Sequence, residues 1–306
     1  MKDPLVYCTE AYAPLAGAFT AALGGTAGRL KRQRFPDGER YLRIEDPLEL
    51  RDVVILGGTI SDADVLEVFD LGCTAVAEGA RSLTLAIPYF GYSTMERAGA
   101  RGEVVGAKTR ARLLSAIPRA HVGNGALLLD LHADGIPHYF GDAITARHVS
   151  ALAVIAPAIE ALGPDVVVAA TDAGRAKWVE SLANEVRRPA AFVYKRRLSG
   201  SETRLTGVNA DVAGKTVALY DDMIRTGGTL VQAARAYLEA GAARVIAFTT
   251  HLLPTPGALE KIRASGAIER LVATDSHPCA AGHPRDFVEV LSVAPLLAHA
   301  AAKGGS

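Results

Sequence analysis

The chain has 306 residues, of which 49% are hydrophobic, so it is long enough for about two domains with sizeable cores. Lys plus Arg and Asp plus Glu balance at 33 each, which excludes a global charge favouring nucleic acid or an anionic membrane. No apolar run approaches a membrane span, the first residues lack a signal-peptide core, and three scattered cysteines have no metal-binding spacing. We therefore expect a cytoplasmic protein with no nucleic-acid or membrane partner.

The first half alternates short apolar runs with helix-like stretches, which favours an α/β fold. The predicted strands are Leu5–Cys8, Val53–Leu56, Leu83–Ile87 and Leu127–Leu129. Between the first two lies the turn 34–40, in which Phe35 is followed by Asp37 and Glu39. An aromatic ring with two acids can stack on a purine and accept from its exocyclic amine, but an ordinary Asp-Gly hairpin turn explains the same residues.

Two of these strands run directly into polar segments. One leads into residues 88–97, PYFGYSTMER, where Tyr89 and Phe90 read as core aromatics. The other leads into Asp130-Leu131-His132. A single histidine after a strand is more often a surface or core residue than a ligand, so the residues alone leave the role of His132 open.

The second half repeats the alternation, with a helix expected at His148–Leu162 and a strand at Val166–Ala170. The turn 171–175, TDAGR, follows that strand. Residues 192–197, FVYKRR, end another strand with three cations, and residues 198–211 lack periodicity, as expected of a loop. A solvated charge run would look the same.

The most informative stretch is 217–229, VALYDDMIRTGGT. An apolar strand, Val217–Tyr220, is followed by Asp221 and Asp222, by the turn 226–229, and by an amphipathic helix. Glycines let the backbone approach an anion, and the N–H groups and dipole of a helix N-terminus face it. The acids would meet sugar hydroxyls or, through water, a cation. The stretch therefore predicts a site for a phosphorylated sugar.

This stretch resembles the phosphoribosyl-binding loop of type I phosphoribosyltransferases and of ribose-phosphate pyrophosphokinases. The other motifs, together with Thr250-His251 and residues 274–278, resemble the pyrophosphokinases alone, across nearly the whole chain. The resemblance implies Mg²⁺-dependent transfer of pyrophosphate from ATP to ribose 5-phosphate, giving phosphoribosyl pyrophosphate (PRPP) and AMP for nucleotide biosynthesis. It also implies a homo-oligomer, a dimer at least, with a hexamer as the larger option.

The resemblance further implies roles for individual residues. Ribose 5-phosphate would be bound by Asp221, Asp222, Thr226, Gly227, Gly228 and Thr229. ATP would be bound by Phe35, Asp37, Glu39, Glu96, Arg97 and His132, the Phe35 loop serving a neighbouring subunit's site. Catalysis would involve His132 with Lys195 and Arg197 on a flap that closes over ATP. Mg²⁺ would be associated with His132 and Asp172.

The chain also departs from the family pattern. It has Thr94-Met95 where the family has Arg-Gln. It also has Arg175 where the family has a second glycine, and the Arg175 side chain would either crowd the turn 171–175 or add a cation to it. In the segment 101–106, which in the family contributes to a phosphate and ADP regulatory site, an Arg, a Pro and a Ser are replaced. A phosphoribosyltransferase, sharing only the 217–229 stretch, and a non-catalytic regulatory homologue are the alternatives.

We therefore expect two doubly wound α/β domains with parallel central sheets, each like a type I phosphoribosyltransferase. The expected N-terminal domain spans residues 1–146, and the C-terminal domain, with the sugar-phosphate loop, spans 147–288. A strand, a helix and a tail at 289–306 are expected to pack back on the N-terminal domain.

Overall fold

Apolar runs that are buried on both faces form the central strands of two parallel sheets, one in each compact unit of this computed structural model. The structure describes residues 1, 3–197, 203–208 and 210–303, and only the backbone of residues 173, 194–197 and 203–208. The first unit contains the described residues up to Ser150 and those from Val293 onward, and the second contains Ala151–Ser292. None of the helices in these described ranges has both the length and the apolar character that spanning a membrane requires.

The first unit is a parallel sheet with helices between its strands. Its strands are β1 (Leu5–Cys8), β2 (Thr26–Ala27), β3 (Leu30–Arg34), β4 (Arg40–Ile44), β5 (Asp52–Leu56), β6 (Ser82–Ile87), β7 (Gly123–Leu129) and β8 (Ile144–Val149). The helices between them are α1 (Ala13–Leu23), α2 (Asp62–Ala77) and α3 (Gly106–Leu114). The sheet has the order β2-β1-β5-β6-β7-β8, and β3 and β4 form a separate antiparallel hairpin.

The second unit repeats this plan. Its strands are β9 (Val166–Ala170), β10 (Ala190–Ala191), β11 (Val193–Arg197), β12 (Thr203–Val208), β13 (Thr216–Ile224), β14 (Arg244–Leu252), β15 (Arg270–Thr274) and β16 (Val288–Leu291). Its helices are α4 (Leu152–Glu160), α5 (Ala176–Glu185), α6 (Gly228–Glu239) and α7 (Ala258–Ala264). The parallel sheet has the order β10-β9-β13-β14-β15-β16, and β11 and β12 form an antiparallel hairpin.

The end of the chain is divided between the units. β16 pairs with β15 in the second sheet. The helix α8 (Ala294–Lys303) follows it and lies against α1, β6 and β7 of the first unit, with Leu297, Ala298 and Ala301 buried. The expected terminal segment 289–306 is thus split, its strand in the second unit and its helix in the first.

The expected α/β class with parallel central sheets is confirmed, but one predicted helix is wrong at its start. His148 was expected to begin a helix, whereas it lies in β8, where it is paired with Leu128 of β7. The helix itself begins at Leu152, after Ser150 and Ala151. The run from Ile144 to Val149 contains β-branched residues that fit a pleated strand, and the sheet contact outweighs the local helical spacing.

The packing of α8 leads to a stability prediction. Leu297→Ala removes a fully buried side chain, so we expect the free energy of unfolding to fall by about 2–5 kcal/mol. Leu296, its half-buried neighbour on the same helix, is the matched control, and Leu296→Ala should cost clearly less. Urea denaturation of both variants measures the difference. Equal losses would mean that α8 does not contribute a buried core face.

Candidate functional site

The glycine-rich turn 226–229 connects the central strand of the second sheet to a helix. Gly227 has a left-handed backbone (φ 73°), and a Cβ at this position would clash with the side chain of Ile262, so the position favours glycine. α6 begins directly afterwards, at Gly228. The N–H groups of its first turn have no partner within the helix, and they carry the positive end of its dipole. Thr226 and Thr229 are exposed beside them. The turn therefore has the donors expected of an anion site.

Two adjacent carboxylates lie at the end of β13, before this turn. Asp222 is buried and Asp221 is half-buried. Both carboxylate oxygens of Asp221 accept a hydrogen bond. The Thr171 hydroxyl donates to Oδ2 of Asp221 at 3.1 Å, and the N–H of Asp222 donates to Oδ1 of Asp221 at 3.0 Å. Burial, and then the neighbouring charge of Asp222, raise the pKa of Asp221 to about 7.

Arg175 lies against this acid pair. Its Nη2 is 2.5 Å from Oδ2 of Asp222, and both side chains are largely buried. The turn that carries Arg175 follows β9, the neighbour of β13, and is closed by Asp172, whose Oδ1 accepts from the N–H of Gly174 at 2.9 Å. Of the two sequence-based alternatives for Arg175, the structure supports the added cation.

A polar and aromatic network supports the same strand ends. Trp178 stacks on Tyr220 with ring centroids 3.5 Å apart, and the Tyr220 hydroxyl is 2.9 Å from Oγ1 of Thr250. The carbonyl of Thr250 accepts from the hydroxyl of Ser276 at 2.9 Å, and Ser276 Oγ is 2.9 Å from Nδ1 of His251. The sequence marked residues 250–251 and 274–278 but gave no signal for Trp178, because its partner is defined by the position of α5 on the sheet.

The Phe35 loop is the tip of the β3–β4 hairpin. The N–H of Phe35 donates to the carbonyl of Glu39 at 2.8 Å, and Oδ1 of Asp37 accepts from the N–H of Glu39 at 3.0 Å. Gly38 has φ 95°, as an Asp-Gly turn requires. Phe35 is 41% exposed, which leaves the residue accessible to a ligand. The hairpin-turn interpretation is confirmed, and a role in binding adenine stays a prediction.

The segment 88–97 combines core aromatics with an exposed end. Tyr89 and Phe90 are buried, as the core interpretation predicted. Arg97 has a side chain that is 86% exposed, with Nε 3.5 Å from Oε1 of Glu96. Tyr92 has a left-handed backbone (φ 61°), which is a strained conformation for an aromatic residue.

A clamp that the sequence analysis missed holds Tyr92 in place. The Arg110 guanidinium lies 4.0 Å from the centre of the Tyr92 ring, and both side chains donate to Oδ1 of Asp62, at 2.7 and 2.9 Å. The three residues come from separate parts of the chain, so no local pattern indicated them.

The segment 99–106 closes on itself. Oε2 of Glu103 accepts from the N–H groups of Gly99 and Ala100, at 2.6 and 3.0 Å. Val104 is 60% exposed, and Gly106 begins α3. Two backbone donors of this loop, at Gly99 and Ala100, are thus already bonded to an internal carboxylate.

His132 follows the end of β7, next to a strained residue. Asp130 is buried with φ 37°, and its N–H donates to the carbonyl of Val149 at 2.9 Å. The N–H of Leu131 donates to Nε2 of His148 at 3.2 Å. His148 thus holds the turn that carries His132. This contact was missed in the sequence analysis, which placed His148 in a helix.

Lys195 and Arg197 lie on β11, but their side chains lie outside the described residues. Among the residues that are described, no group of three or more His, Cys, Asp or Glu side chains is placed to hold a metal ion. His132 belongs to the first unit and Asp172 to the second. The proposed metal and flap residues therefore stay predictions.

A strand, a left-handed glycine turn and a helix beside two carboxylates, on a parallel sheet, form the arrangement that the sequence analysis expected of a phosphoribosyltransferase-like α/β domain. Residues 5–117 match the family model of the N-terminal domain of ribose phosphate pyrophosphokinase, and residues 145–265 match that of the phosphoribosyl transferase domain. The chain belongs to the ribose-phosphate pyrophosphokinase family, as the sequence motifs indicated.

Individual relatives support this assignment. The chain is 34% identical to a ribose-phosphate pyrophosphokinase of Prochlorococcus marinus (strain MIT 9313), over 94% of this chain and 86% of the relative. It is 32% identical to one from Halalkalibacterium halodurans, over 94% and 89%. The solved phosphoribosylpyrophosphate synthetase from Mycobacterium smegmatis superposes with a TM-score of 0.86 at 26% identity, and all of both chains is covered. Two phosphoribosyltransferase-like domains are therefore established.

The raised pKa of Asp221 predicts how stability depends on pH. Between the ordinary value of 3.8 and about 7, the folded protein retains a proton that the unfolded chain releases. This group therefore contributes stability at low pH that is lost as the pH rises through about 7.

We expect Asp221→Asn to reduce the fall in unfolding free energy between about pH 5 and about pH 8, since an amide does not titrate in that range. Denaturant titrations of the ligand-free protein at both pH values provide the measurement. Asp165→Asn, at an exposed acid just before β9, should leave the pH dependence unchanged. An unchanged slope in the Asp221 variant would contradict the assignment of the raised pKa.

Proposed function

We propose that this chain transfers the β,γ-pyrophosphoryl group of ATP to the 1-hydroxyl of ribose 5-phosphate and so produces PRPP and AMP. The observation that carries the proposal is the Gly227 turn, which presents the N-terminus of α6 next to Asp221 and Asp222 on a chain matched to pyrophosphokinases over 94% of its length. A cytoplasmic homo-oligomer, a dimer at least or a hexamer, in nucleotide biosynthesis is the setting that we infer.

The sugar phosphate would be held by both parts of the loop. The backbone N–H groups of Gly227, Gly228 and Thr229 and the hydroxyls of the two threonines would donate to the 5-phosphate. Asp221 and Asp222 would accept from the 2- and 3-hydroxyls of the ribose. This arrangement keeps the carboxylates away from the phosphate, which they would otherwise repel.

ATP would be bound by residues of the first unit. The exposed Phe35 ring would stack on adenine, with Asp37 and Glu39 accepting from its amine. Arg97 and His132 would hold the triphosphate, with Glu96 beside them. If the Phe35 hairpin serves a neighbouring subunit, the oligomer completes the site.

In the transfer step, the 1-oxygen of ribose 5-phosphate bonds to the β-phosphorus as the bond to the bridging oxygen of AMP breaks. The hydroxyl proton passes to solvent, and no protein base is required. Lys195 and Arg197 would neutralise the charge that grows on the transferred and leaving oxygens, with His132 beside the triphosphate.

The residues of the chain fit a magnesium ion that takes most of its ligands from substrate phosphates and water. Asp172 supplies carboxylate oxygens, which Mg²⁺ prefers, and the hydrogen bond from Gly174 orients that carboxylate. The family resemblance also associates His132 with Mg²⁺. Because the described side chains form no cluster of three potential ligands, phosphate oxygens and water would complete the coordination. When bound, the ion would neutralise charge on the phosphate oxygens.

The direct test mixes purified protein with ATP, Mg²⁺ and ribose 5-phosphate and measures AMP and PRPP. Production of both supports the proposal. The second candidate is a non-catalytic regulatory homologue, which is favoured by Thr94-Met95, Arg175 and the altered segment 101–106. Binding of both substrates without any turnover would support that candidate and reject the enzyme.

The flap residues give the first activity prediction. Lys195→Ala should lower kcat by about two orders of magnitude or more, while the KM for ribose 5-phosphate changes by no more than about threefold, because the cation acts mainly in the transition state. Steady-state kinetics measures both quantities. Lys177→Ala, at an exposed lysine of α5, is the control for loss of a positive charge. A near-normal kcat in the Lys195 variant would rule out the flap assignment.

A second prediction concerns the phosphate end of the loop. Thr229→Val deletes a hydroxyl donor but keeps the branched shape, so the affinity for ribose 5-phosphate should fall by about three- to tenfold. Calorimetry with ribose 5-phosphate measures the change, and the affinity for ATP serves as the internal control. If the sugar-phosphate affinity is unchanged, Thr229 does not face the phosphate.

The altered segment 101–106 predicts weak regulation by anions. Glycine replaces an arginine and a serine of the family pattern, and the Gly99 and Ala100 donors are bonded to Glu103. We expect turnover without added phosphate and simple competitive inhibition by ADP. The replacement by Thr94-Met95 should also raise the KM for ATP. Rates with and without millimolar phosphate, across a range of ADP, provide the measurement, and a steep phosphate requirement or sigmoidal inhibition would contradict it.

A further inference from the structure

Arg175 occupies a position where the family pattern has glycine, and its side chain has a defined partner. The guanidinium is 2.5 Å from Asp222, with side-chain exposures of only 14% and 5%. The ion pair joins the ends of β9 and β13, which are adjacent strands of the sheet. A glycine at this position could not provide this charge, so the site of this chain differs from the family pattern in its electrostatics.

The charges around the acid pair explain what such a cation does. Asp221 and Asp222 are neighbours at the end of a buried strand, next to a turn that would receive a phosphate dianion. Without compensation, these two carboxylates, one buried and one half-buried, would repel both each other and the ligand. A divalent cation is the usual external compensation for acids beside phosphates. Here a guanidinium from the chain already lies on one of the acids.

The ion pair should persist when the sugar binds. Breaking a buried ion pair leaves an uncompensated charge, and this costs more than a hydrogen bond from a sugar hydroxyl returns. A hydroxyl must therefore share Asp222 with Arg175. A second cation at Asp222 would meet the positive guanidinium at close range, so the pair also disfavours a metal ion there.

We propose that Arg175 is a built-in counter-ion of the sugar site, which stays on Asp222 in the complex and makes the binding of ribose 5-phosphate independent of Mg²⁺. This inference rests on the proposed function, because it takes the loop as the ribose 5-phosphate site. Arg175 is a positioning residue, since it acts through Asp222. The Mg²⁺ requirement of the overall reaction then belongs to ATP.

The test is calorimetry of ribose 5-phosphate with the full chain, in EDTA and in millimolar Mg²⁺. The wild-type affinity should be the same in both within about twofold. Arg175→Gly should weaken binding in EDTA by about tenfold or more, and Mg²⁺ should restore most of the loss, because an external cation replaces the missing charge. Arg175→Lys keeps the charge and should stay near the wild type.

Lys177→Ala, which removes an exposed cation two positions along the chain, is the matched control and should bind like the wild type in both buffers. If the glycine variant does not fold, Arg175→Gln removes the charge while keeping much of the side chain, and the same comparison applies. A purely structural role for Arg175 would give a loss that Mg²⁺ does not restore.

Three results would overturn the inference. The first is a loss of affinity for ribose 5-phosphate in the Arg175→Gly or Arg175→Gln variant that is equally large in EDTA and in Mg²⁺. The second is tighter binding after Arg175→Gly, which would identify the side chain as an obstruction. The third is a wild-type protein that binds ribose 5-phosphate only when Mg²⁺ is present. The proposed sugar site would then remain valid, but Arg175 would not be its counter-ion. A wild-type protein that binds no ribose 5-phosphate in either buffer would reject the proposed site and the inference together.

Discussion

The charge compensation of two adjacent carboxylates at the end of β13 is the constraint on which the second unit depends. Asp222 is neutralised by Arg175, and Asp221 receives a hydroxyl from Thr171 and the N–H of Asp222. Each compensating side chain comes from the turn after β9, so the pairing of these two strands determines whether the acids can be buried at all. The site and the sheet are therefore held together by the same contacts.

The parallel arrangement of the sheet explains why the site collects there. β13 lies between β9 and β14, and the carboxyl ends of parallel strands meet at one edge. The turn at 171–175, the acids and glycines at 221–229 and the polar residues at 250–251 and 274–277 all lie within or just after the carboxyl-terminal ends of strands of this sheet. Residues separated by about a hundred positions thus reach one region without any local signal that connects them.

Features with a local physical cause could be predicted from the sequence. The apolar runs gave the parallel strands, and the glycines after Asp222 gave the strand–turn–helix unit, because left-handed turns and helix starts have their own residue preferences. The family could be assigned from motifs for the same reason. His148 was misassigned because β8 gains its stability from pairing with β7, a tertiary contact. The partner of Arg175 and the Tyr92–Arg110–Asp62 clamp depend on strand register and helix position, which one sequence does not encode locally.

The placement of α8 has a consequence for how the protein is made. The chain contains every strand of the first sheet by Val149, then the whole second unit, and only afterwards the helix that packs on α1, β6 and β7. A ribosome releases the chain from the N-terminus onward, at about 5–20 residues per second. The apolar face that awaits α8 is therefore exposed throughout synthesis of the second unit, and the N-terminal unit, although translated first, is the last to be finished.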